Sequence, residues 1–224
     1  DNIKMDVAVL VSGGKDSIFT TWLALHQYNI KSLITILSIK DSTLYQYQER
    51  MFVEALADAI SIPIKILEIS SEKDELILLE DALKNLNVNA FLVGGLLSEY
   101  QRFKFNSVGL HLGIPCFAPL WRKNQKELLE ELVRHGFKII LSLVAGLGFM
   151  EDDLGKILTY DTIKRLENLN TKYGISIGGE GGEYETLVLN APFYEKEIII
   201  EAYYKRFDTI RSQGEIVYSS LKTK

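Results

Sequence analysis

The sequence predicts an α/β fold: a parallel sheet carrying helices on both faces, followed by a smaller C-terminal α+β part. Three observations predict it. Apolar runs at Val7–Val11, Ser32–Ile39, Ile64–Ile69 and Asn89–Val93 have the near-continuous character of strands buried on both faces. Each is followed by a segment of helical character, which gives four β-then-α units and hence right-handed parallel crossovers. Pro115 and Pro119, within five residues of each other, then mark a change of character and suggest a hinge between two parts. The expected division is 1–115 for the first domain and 116–224 for the second.

In chain order, Val7-Ala8-Val9-Leu10-Val11 is the first strand, and Ile18–Tyr28, mostly apolar and without Gly or Pro, is the first helix. Leu33, Ile34, Ile36, Leu37 and Ile39 mark the second strand, after which Asp41-Ser42-Thr43 reads as a loop or helix start. Phe52, Val53, Leu56, Ala59 and Ile60 recur at helical spacing within Gln46–Ile60. Pro63 punctuates before the third strand. Ser71-x-x-Asp74 has the form of a capping box opening a helix to about Asn85. The fourth strand ends at Gly94-Gly95, and a helix from Glu99 to Leu112 closes on Gly113 with Pro115 beyond. In the second part, Asn124-x-x-Glu127 caps a helix to Arg134 that Gly136 stops. Phe137–Val144 is a strand, Gly146 to Asp153 a loop, and Asp161 to Gly174 a helix. Strands at Leu187–Leu189, Glu197–Arg206 and Glu215–Tyr218 complete the chain.

Composition narrows the function classes. At 224 residues the chain is long enough for a substantial core. Its net charge of −5 disfavours a broad grip on nucleic acid. The single cysteine, Cys116, excludes an internal disulfide framework, a thiolate zinc cluster and persulfide chemistry on a cysteine pair, and reads as packing between Pro115 and Phe117. No apolar run approaches the roughly 20 residues that span a bilayer, and no n-region and h-region open the chain, so the expected location is the cytoplasm. His26, His111 and His135 are scattered without metal-ligand spacing and read as structural or surface residues.

The chemistry is concentrated in two stretches. The first is Ser12-Gly13-Gly14-Lys15-Asp16-Ser17, between a buried strand and a helix. It is neither a Walker A loop nor a G-x-G-x-x-G fingerprint. Gly13 and Gly14 let backbone wrap an anion, Ser12 and Ser17 offer hydroxyls, and Lys15 offers a point charge. Free N–H groups and the positive helix end favour phosphate there. Asp16 would repel bare phosphate, so it implies a magnesium ion that it helps to hold. In open parallel sheets ligands gather beyond the C-terminal strand ends, so Ser12–Ser17, Ser38 and Gly94-Gly95 are expected to converge. The second stretch is Gly178-Gly179-Glu180-Gly181-Gly182-Glu183-Tyr184-Glu185-Thr186. Its glycine-spaced carboxylates suit magnesium, a cationic substrate, or acceptance of a proton.

S-G-G-K-D-S after a buried strand resembles the signature of the PP-loop ATP pyrophosphatases, which implies a Rossmann-like (adenine nucleotide alpha hydrolase-like) sheet and cleavage of ATP between its α- and β-phosphates. Gly95-x-x-Ser98-x-Tyr100-Gln101-Arg102, Pro119-Leu120-Trp121-Arg122, Leu154-Gly155-Lys156 and Gly179–Thr186 through Asn190-Ala191-Pro192-Phe193 are similar to the diphthine–ammonia ligase family in its archaeal-type form. That resemblance covers the chain from about Met5 to Phe193. It implies an ATP-dependent ligase that amidates diphthine on elongation factor 2 through an acyl-adenylate, releasing pyrophosphate and AMP, with ATP and Mg2+ as cofactors. No glutaminase-like cysteine pattern is visible, which favours free ammonium. The sequence leaves self-association open, and no membrane or nucleic-acid partner is expected. The competing readings are a PP-loop enzyme adenylating tRNA or another small substrate, and a non-catalytic nucleotide sensor.

The site residues expected on this basis are Lys15, Asp16 and Glu183 for catalysis, with Asp16 also on the metal. Ser12, Gly13, Gly14, Lys15, Asp16, Ser17, Ser38, Gly94 and Gly95 are expected to bind ATP. Tyr100, Gln101, Arg102, Trp121 and Glu180, Gly181, Gly182, Glu183, Tyr184, Glu185 and Thr186 are expected to bind substrate. Tyr184, Tyr100 or Trp121 would face the quaternary cation of diphthine. Arg102 and Lys104 read either as contacts to phosphate or to an acidic partner, or as a solvated helix face. Three positions depart from the family pattern: Gln46 where His is usual, Asn190 for a frequent Asp, and Lys156 for the usual Arg.

Overall fold

The computed structural model describes residues 3–39, 44–95 and 99–224, so Ser42, Thr43 and Ser98 of the motifs above lie outside the described residues. Two compact units result, Asp1–Trp121 and Arg122–Lys224.

The first unit is a five-stranded parallel sheet in the order β3-β2-β1-β4-β5. The strands are β1 (Asp6–Leu10), β2 (Asn29–Ser38), β3 (Ile64–Ile69), β4 (Ala90–Leu92) and β5 (Cys116–Phe117). The helices α1 (Lys15–Gln27), α2 (Leu44–Ala59), α3 (Glu72–Leu86) and α4 (Glu99–Leu112) link them. Side chains alternate across a strand, so Ala8 of β1 joins Ile34, Leu67 and Phe91 in a core closed by Leu79 and Leu83 of α3 and Val108 of α4. Val7 and Val9 point to the opposite face and are equally buried. Ser71 caps α3 by accepting from Asp74 N at 3.2 Å, and Asn87 ends it in the left-handed region at φ 52°.

Two expectations are corrected here. Within the Pro115–Pro119 segment, not read as a strand, Phe91 N donates to Pro115 O, Val93 N donates to Phe117 O, and Cys116–Phe117 adds a fifth parallel strand. Proline lacks a donor but keeps its carbonyl, which suffices at the edge of a sheet. Cys116 is packed against the core, and burial pushes its thiol up to about 12, which leaves it an inert packing group. Helix α1 also begins earlier than its apolar run, at Lys15, with Gly14 as N-cap. The first helical turn is therefore built from the motif itself.

The second unit is a four-stranded antiparallel sheet in the order β7-β6-β9-β8. Its strands are β6 (Lys138–Ala145), β7 (Tyr184–Asn190), β8 (Ile198–Asp208) and β9 (Gln213–Thr223). Helices α5 (Gln125–Arg134) and α6 (Tyr160–Tyr173) pack on one another. Asn124 caps α5 by accepting from Glu127 N at 3.0 Å, and Gly174 ends α6 at φ 73°. A buried carboxylate organises the connection from β6 to α6. Asp153 lies in a single 3₁₀ turn (Glu151–Asp153) and accepts from Arg165 Nε at 2.5 Å, from a second Arg165 nitrogen at 2.6 Å and from Met150 N at 2.8 Å. Arg165 also donates to Gly148 O at 3.0 Å, so helix α6 clamps the loop 146–156. Lys156 reaches the same carboxylate at 3.2 Å. Arg165 already supplies the forked contact, so a point charge is enough at 156, which accounts for Lys in place of Arg. Asn190 is similarly explained: its Oδ1 accepts from Ala191 N at 2.9 Å, as a carboxylate oxygen would.

Candidate functional site

The Ser12–Ser17 motif sits at the point where the chain reverses its direction of travel across the sheet. From β1 the chain moves outward through β2 to β3, then returns to the other side of β1 as β4. The loop after β1 and the loop after β4 therefore face each other at a topological switch point, the position at which such sheets take ligands. The two segments touch: a Cβ built on Gly94 would lie 2.8 Å from Ser17 N and 3.0 Å from Asp16 C, and one on Gly95 2.9 Å from an oxygen of Asp16. Ser12–Ser17 and Gly94-Gly95 thus converge as expected. Ser38 ends β2 exposed, beyond Ile34, the last residue of β2 paired with β1.

Within the loop, Ser12 N donates to Ser17 Oγ at 3.0 Å and Gly14 N donates to Ser12 Oγ at 3.3 Å. Ser17 Oγ donates to Gly14 O at 3.3 Å. The two hydroxyls fold the turn. Gly13 has φ +87°, and a Cβ there would lie 2.6 Å from a ring carbon of Phe52 on α2. The Phe52 ring, 2 % exposed, forms the floor of the turn. Its apolar helical pattern was legible in the sequence; its place beneath the turn was not.

Lys15 is buried, and its ammonium lies 3.0 and 3.1 Å from the two carboxylate oxygens of Asp16. Lys15 is thereby held at the mouth of the first helical turn rather than extended into solvent. Among the described residues no three His, Cys, Asp or Glu side chains cluster tightly enough to hold a metal ion. The donor set at this loop, one carboxylate beside a phosphate cradle, fits magnesium bound mainly through nucleotide oxygens and waters.

Farther along the first unit, Tyr100 is exposed, Gln101 half-buried and Arg102 exposed. Arg102 pairs with Glu99 at 3.6 Å and lies 5.5 Å from the Trp121 ring centroid. Trp121, expected to be open to a quaternary cation, already carries a guanidinium on that ring. Lys104 pairs with Glu75 at 2.9 Å in half-buried surroundings, so it belongs to the contact between α3 and α4. His26 bonds Trp22 O, His111 bonds Glu80 and His135 bonds Glu131, all at the surface.

In the second unit the acidic glycine-rich stretch forms a turn that leads directly into β7. Gly179 N donates to Ser176 O and Gly182 N to Gly179 O, both at 3.1 Å. Strand alternation then sorts the side chains. Tyr184 and Thr186 point inward and are buried, the Tyr184 hydroxyl donating to Ile177 O at 2.6 Å. Expected to meet substrate, these two instead belong to the packing of their own unit, and Tyr184 stands edge-on to Phe149. Of the three aromatic rings expected to face a cation, Tyr100 is the exposed one.

Glu183 and Glu185 take the other side of the strand. Both carboxylate oxygens of Glu183 accept backbone N–H groups, from Ser176 at 3.2 Å and Gly181 at 2.8 Å. Glu180 is exposed. Glu185 lies in one row across the sheet with Leu143, Glu215 and Arg206. Although the residue as a whole is exposed, the packed surroundings of its carboxyl raise its pKa, and the neighbouring Glu215 charge adds to the shift. Arg206 pairs with Glu215 rather than with Glu185.

Comparison with known proteins bears on both units. A family model described as the diphthamide synthase N-terminal domain matches residues 5–116, and one described as the diphthamide synthase C-terminal domain matches residues 124–220. The chain is 34% identical to a diphthine–ammonia ligase of Danio rerio, with 88% of this chain and 87% of that protein covered. It is 33% identical to the Mus musculus protein of the same name and 31% to the Homo sapiens one, each with 88% of this chain and 84% of the relative covered.

Proposed function

The chain belongs to the diphthamide synthase family, and from that premise we infer that it is a diphthine–ammonia ligase, joining ammonia to the diphthine carboxylate at the expense of ATP. The observation that carries this reading is that the family match runs through both units, with S-G-G-K-D-S in the first and G-G-E-G-G-E-Y-E-T in the second.

The chemistry proceeds in two balanced steps. A diphthine carboxylate oxygen attacks the α-phosphorus of ATP, forming an acyl–phosphate bond as the α–β phosphoanhydride breaks and pyrophosphate leaves. Ammonia nitrogen then attacks the acyl carbon; the C–N bond forms, the C–O bond to AMP breaks, and the nitrogen sheds a proton. In the first step the loop's task is electrostatic. The N–H groups of the first turn of α1, the Ser12 and Ser17 hydroxyls and the Lys15 ammonium take the charge that builds on the departing pyrophosphate. Gly94 and Gly95 allow the end of β4 to lie against this turn without side chains. Magnesium supplies charge neutralisation on the phosphates, and Asp16 is the residue that would hold it. Elongation factor 2 is the protein that presents diphthine, ammonium is the nitrogen source, and Glu180, Glu183 and Glu185 of the second unit serve the acceptor substrate.

The test is incubation of the protein with diphthine-bearing elongation factor 2, ATP and ammonium. The expected result is AMP together with exchange of the factor's carboxyl hydroxyl for an amine, read by mass spectrometry. Absence of both products overturns the reading, and amidation with glutamine but not ammonium would overturn the nitrogen source. Within the same assay, Lys15→Ala is expected to reduce AMP formation by about 100-fold, the scale seen when one transition-state donor is removed. Turnover within a few-fold of the unmodified protein would remove Lys15 from the reaction.

A further inference from the structure

The three glutamates of the acidic stretch are chemically alike in sequence but not in the fold. Glu183 turns its carboxylate back on its own loop. One oxygen accepts from Ser176 N, which stands before the glycines, and the other from Gly181 N, which stands among them, at 3.2 and 2.8 Å. The carbonyl of the same residue accepts from Ala145 N of β6 at 2.8 Å. A single residue therefore closes the turn through its side chain and ties it to the sheet through its backbone. Ser176 assists, its hydroxyl accepting from Glu180 N at 3.3 Å.

The segment so closed contains Gly178, Gly179, Gly181 and Gly182. Glycine loses more backbone freedom on ordering than any other residue, so a run of four needs a strong local anchor to hold one shape. Hydrogen bonds to an ionised acceptor are about twice as strong as neutral ones, and Glu183 makes two. One lone pair on each oxygen of the Glu183 carboxylate is thereby directed at an amide of its own loop, which fixes the carboxylate's orientation.

We propose that Glu183 is a positioning residue, which acts on the amidation by holding the Gly178–Gly182 turn closed and not by accepting the proton released from ammonia. The proposal rests on the ligase reading above for the word amidation, and on the loop geometry alone for the closure. Glu185 of β7, Glu215 of β9 and Arg206 of β8 are charged groups lying in one row across the sheet.

The experiment uses the full chain with Glu183→Gln and Glu183→Ala. A glutamine carbonyl can still receive one of the two amides, while its NH2 group opposes the other. Hydrogen exchange at the Ser176 and Gly181 amides is expected to accelerate roughly tenfold at one site in E183Q and at both in E183A. ATP-induced thermal stabilisation, a property of the first unit, is expected to stay unchanged. In the ligase assay the expected signature is a raised KM for the diphthine-bearing protein, graded from E183Q to E183A, with the pH profile of kcat unchanged in shape. Unaltered exchange at both amides overturns the proposal. So does a kcat collapse in E183Q that takes with it a limb of the pH profile, since that marks a proton-transfer group. An unmodified protein that forms no AMP would overturn the ligase reading instead, and the exchange measurement would still decide whether Glu183 holds the turn.

Discussion

Gly94→Ala is expected to weaken ATP binding by more than about tenfold while leaving the chain folded. The added methyl carbon would lie 2.8 Å from Ser17 N and 3.0 Å from both Asp16 C and Ser17 Cα. All three are backbone atoms, which cannot swing aside as a side chain does. The strain has to be relieved by moving the end of β4 away from the first turn of α1, which is the turn proposed to bind the phosphates. Overpacking of this kind costs about 1–3 kcal/mol of stability, tolerable for the first unit. For the ligand the consequence is larger, because a cradle of N–H groups works only while its donors converge. We expect ATP affinity to fall by more than about tenfold, which corresponds to 1.4 kcal/mol, with AMP formation undetectable. Gly95→Ala should be milder, since its methyl meets a carboxylate oxygen of Asp16 at 2.9 Å, the mobile end of a side chain. ATP-dependent shifts in thermal unfolding check both variants. Undiminished stabilisation of G94A by ATP would remove the loop from nucleotide binding.

Asp153→Ala is expected to have the largest effect on stability. The Asp153 side chain is 3% exposed and carries bonds from Arg165, Met150 N and Lys156. Its removal leaves the Arg165 guanidinium without its main partner and weakens the hold of α6 on the loop 146–156, where Arg165 still reaches Gly148 O. Breaking a buried pair costs about 3–5 kcal/mol. Arg165 keeps a side-chain exposure of 30%, which lets water recover part of this, so about 3 kcal/mol is expected. For a unit of this size that corresponds to a Tm lower by on the order of 10 °C or more. The pH dependence follows from the direction of the shift. Burial opposes ionisation of Asp153, but the hydrogen bonds from Arg165 and Met150 outweigh it and hold the carboxyl below its ordinary value of 3.8. A depressed carboxylate pKa contributes stability that is fully present above the unfolded value and lost as pH falls through the folded one. The stability gap between the unmodified protein and D153A should therefore be constant near neutrality and close below about pH 4. A gap that persists in acid would mean that packing, not the ion pair, accounts for the loss.

Much of the first unit was readable because local and global signals agree there. Buried parallel strands demand near-continuous apolar runs, and Ser71 suits a helix start, as Asn124 and Gly174 suit helix ends in the second unit. Strand β5 escaped because two residues between prolines carry no periodicity; they are a strand only because Phe91 and Val93 hold donors toward them. In the second unit Tyr184 and Thr186 looked like site residues because they stand in a motif. The pleat that starts at Tyr184 turns them inward, and pleat direction depends on strand pairing with β6.

By itself the sequence determined that this protein has a parallel α/β unit with a glycine-rich turn after its first strand, an α+β unit following it along the chain, and two stretches able to carry the chemistry of an ATP-dependent ligase. These follow from side-chain type and short-range spacing, which every residue carries wherever the chain goes. Only the tertiary structure decided that β4 returns to the far side of β1 and sets Gly94-Gly95 against the turn, that Phe52 floors it, that Arg102 covers Trp121, and that Glu183 spends its carboxylate on its own loop. Each of these depends on residues tens of positions apart, or on the direction a side chain takes once neighbouring strands have paired. The first three are set by the packing of whole elements; the Glu183 bonds span only two and seven residues, and no sequence pattern distinguishes them from those of Glu180 or Glu185.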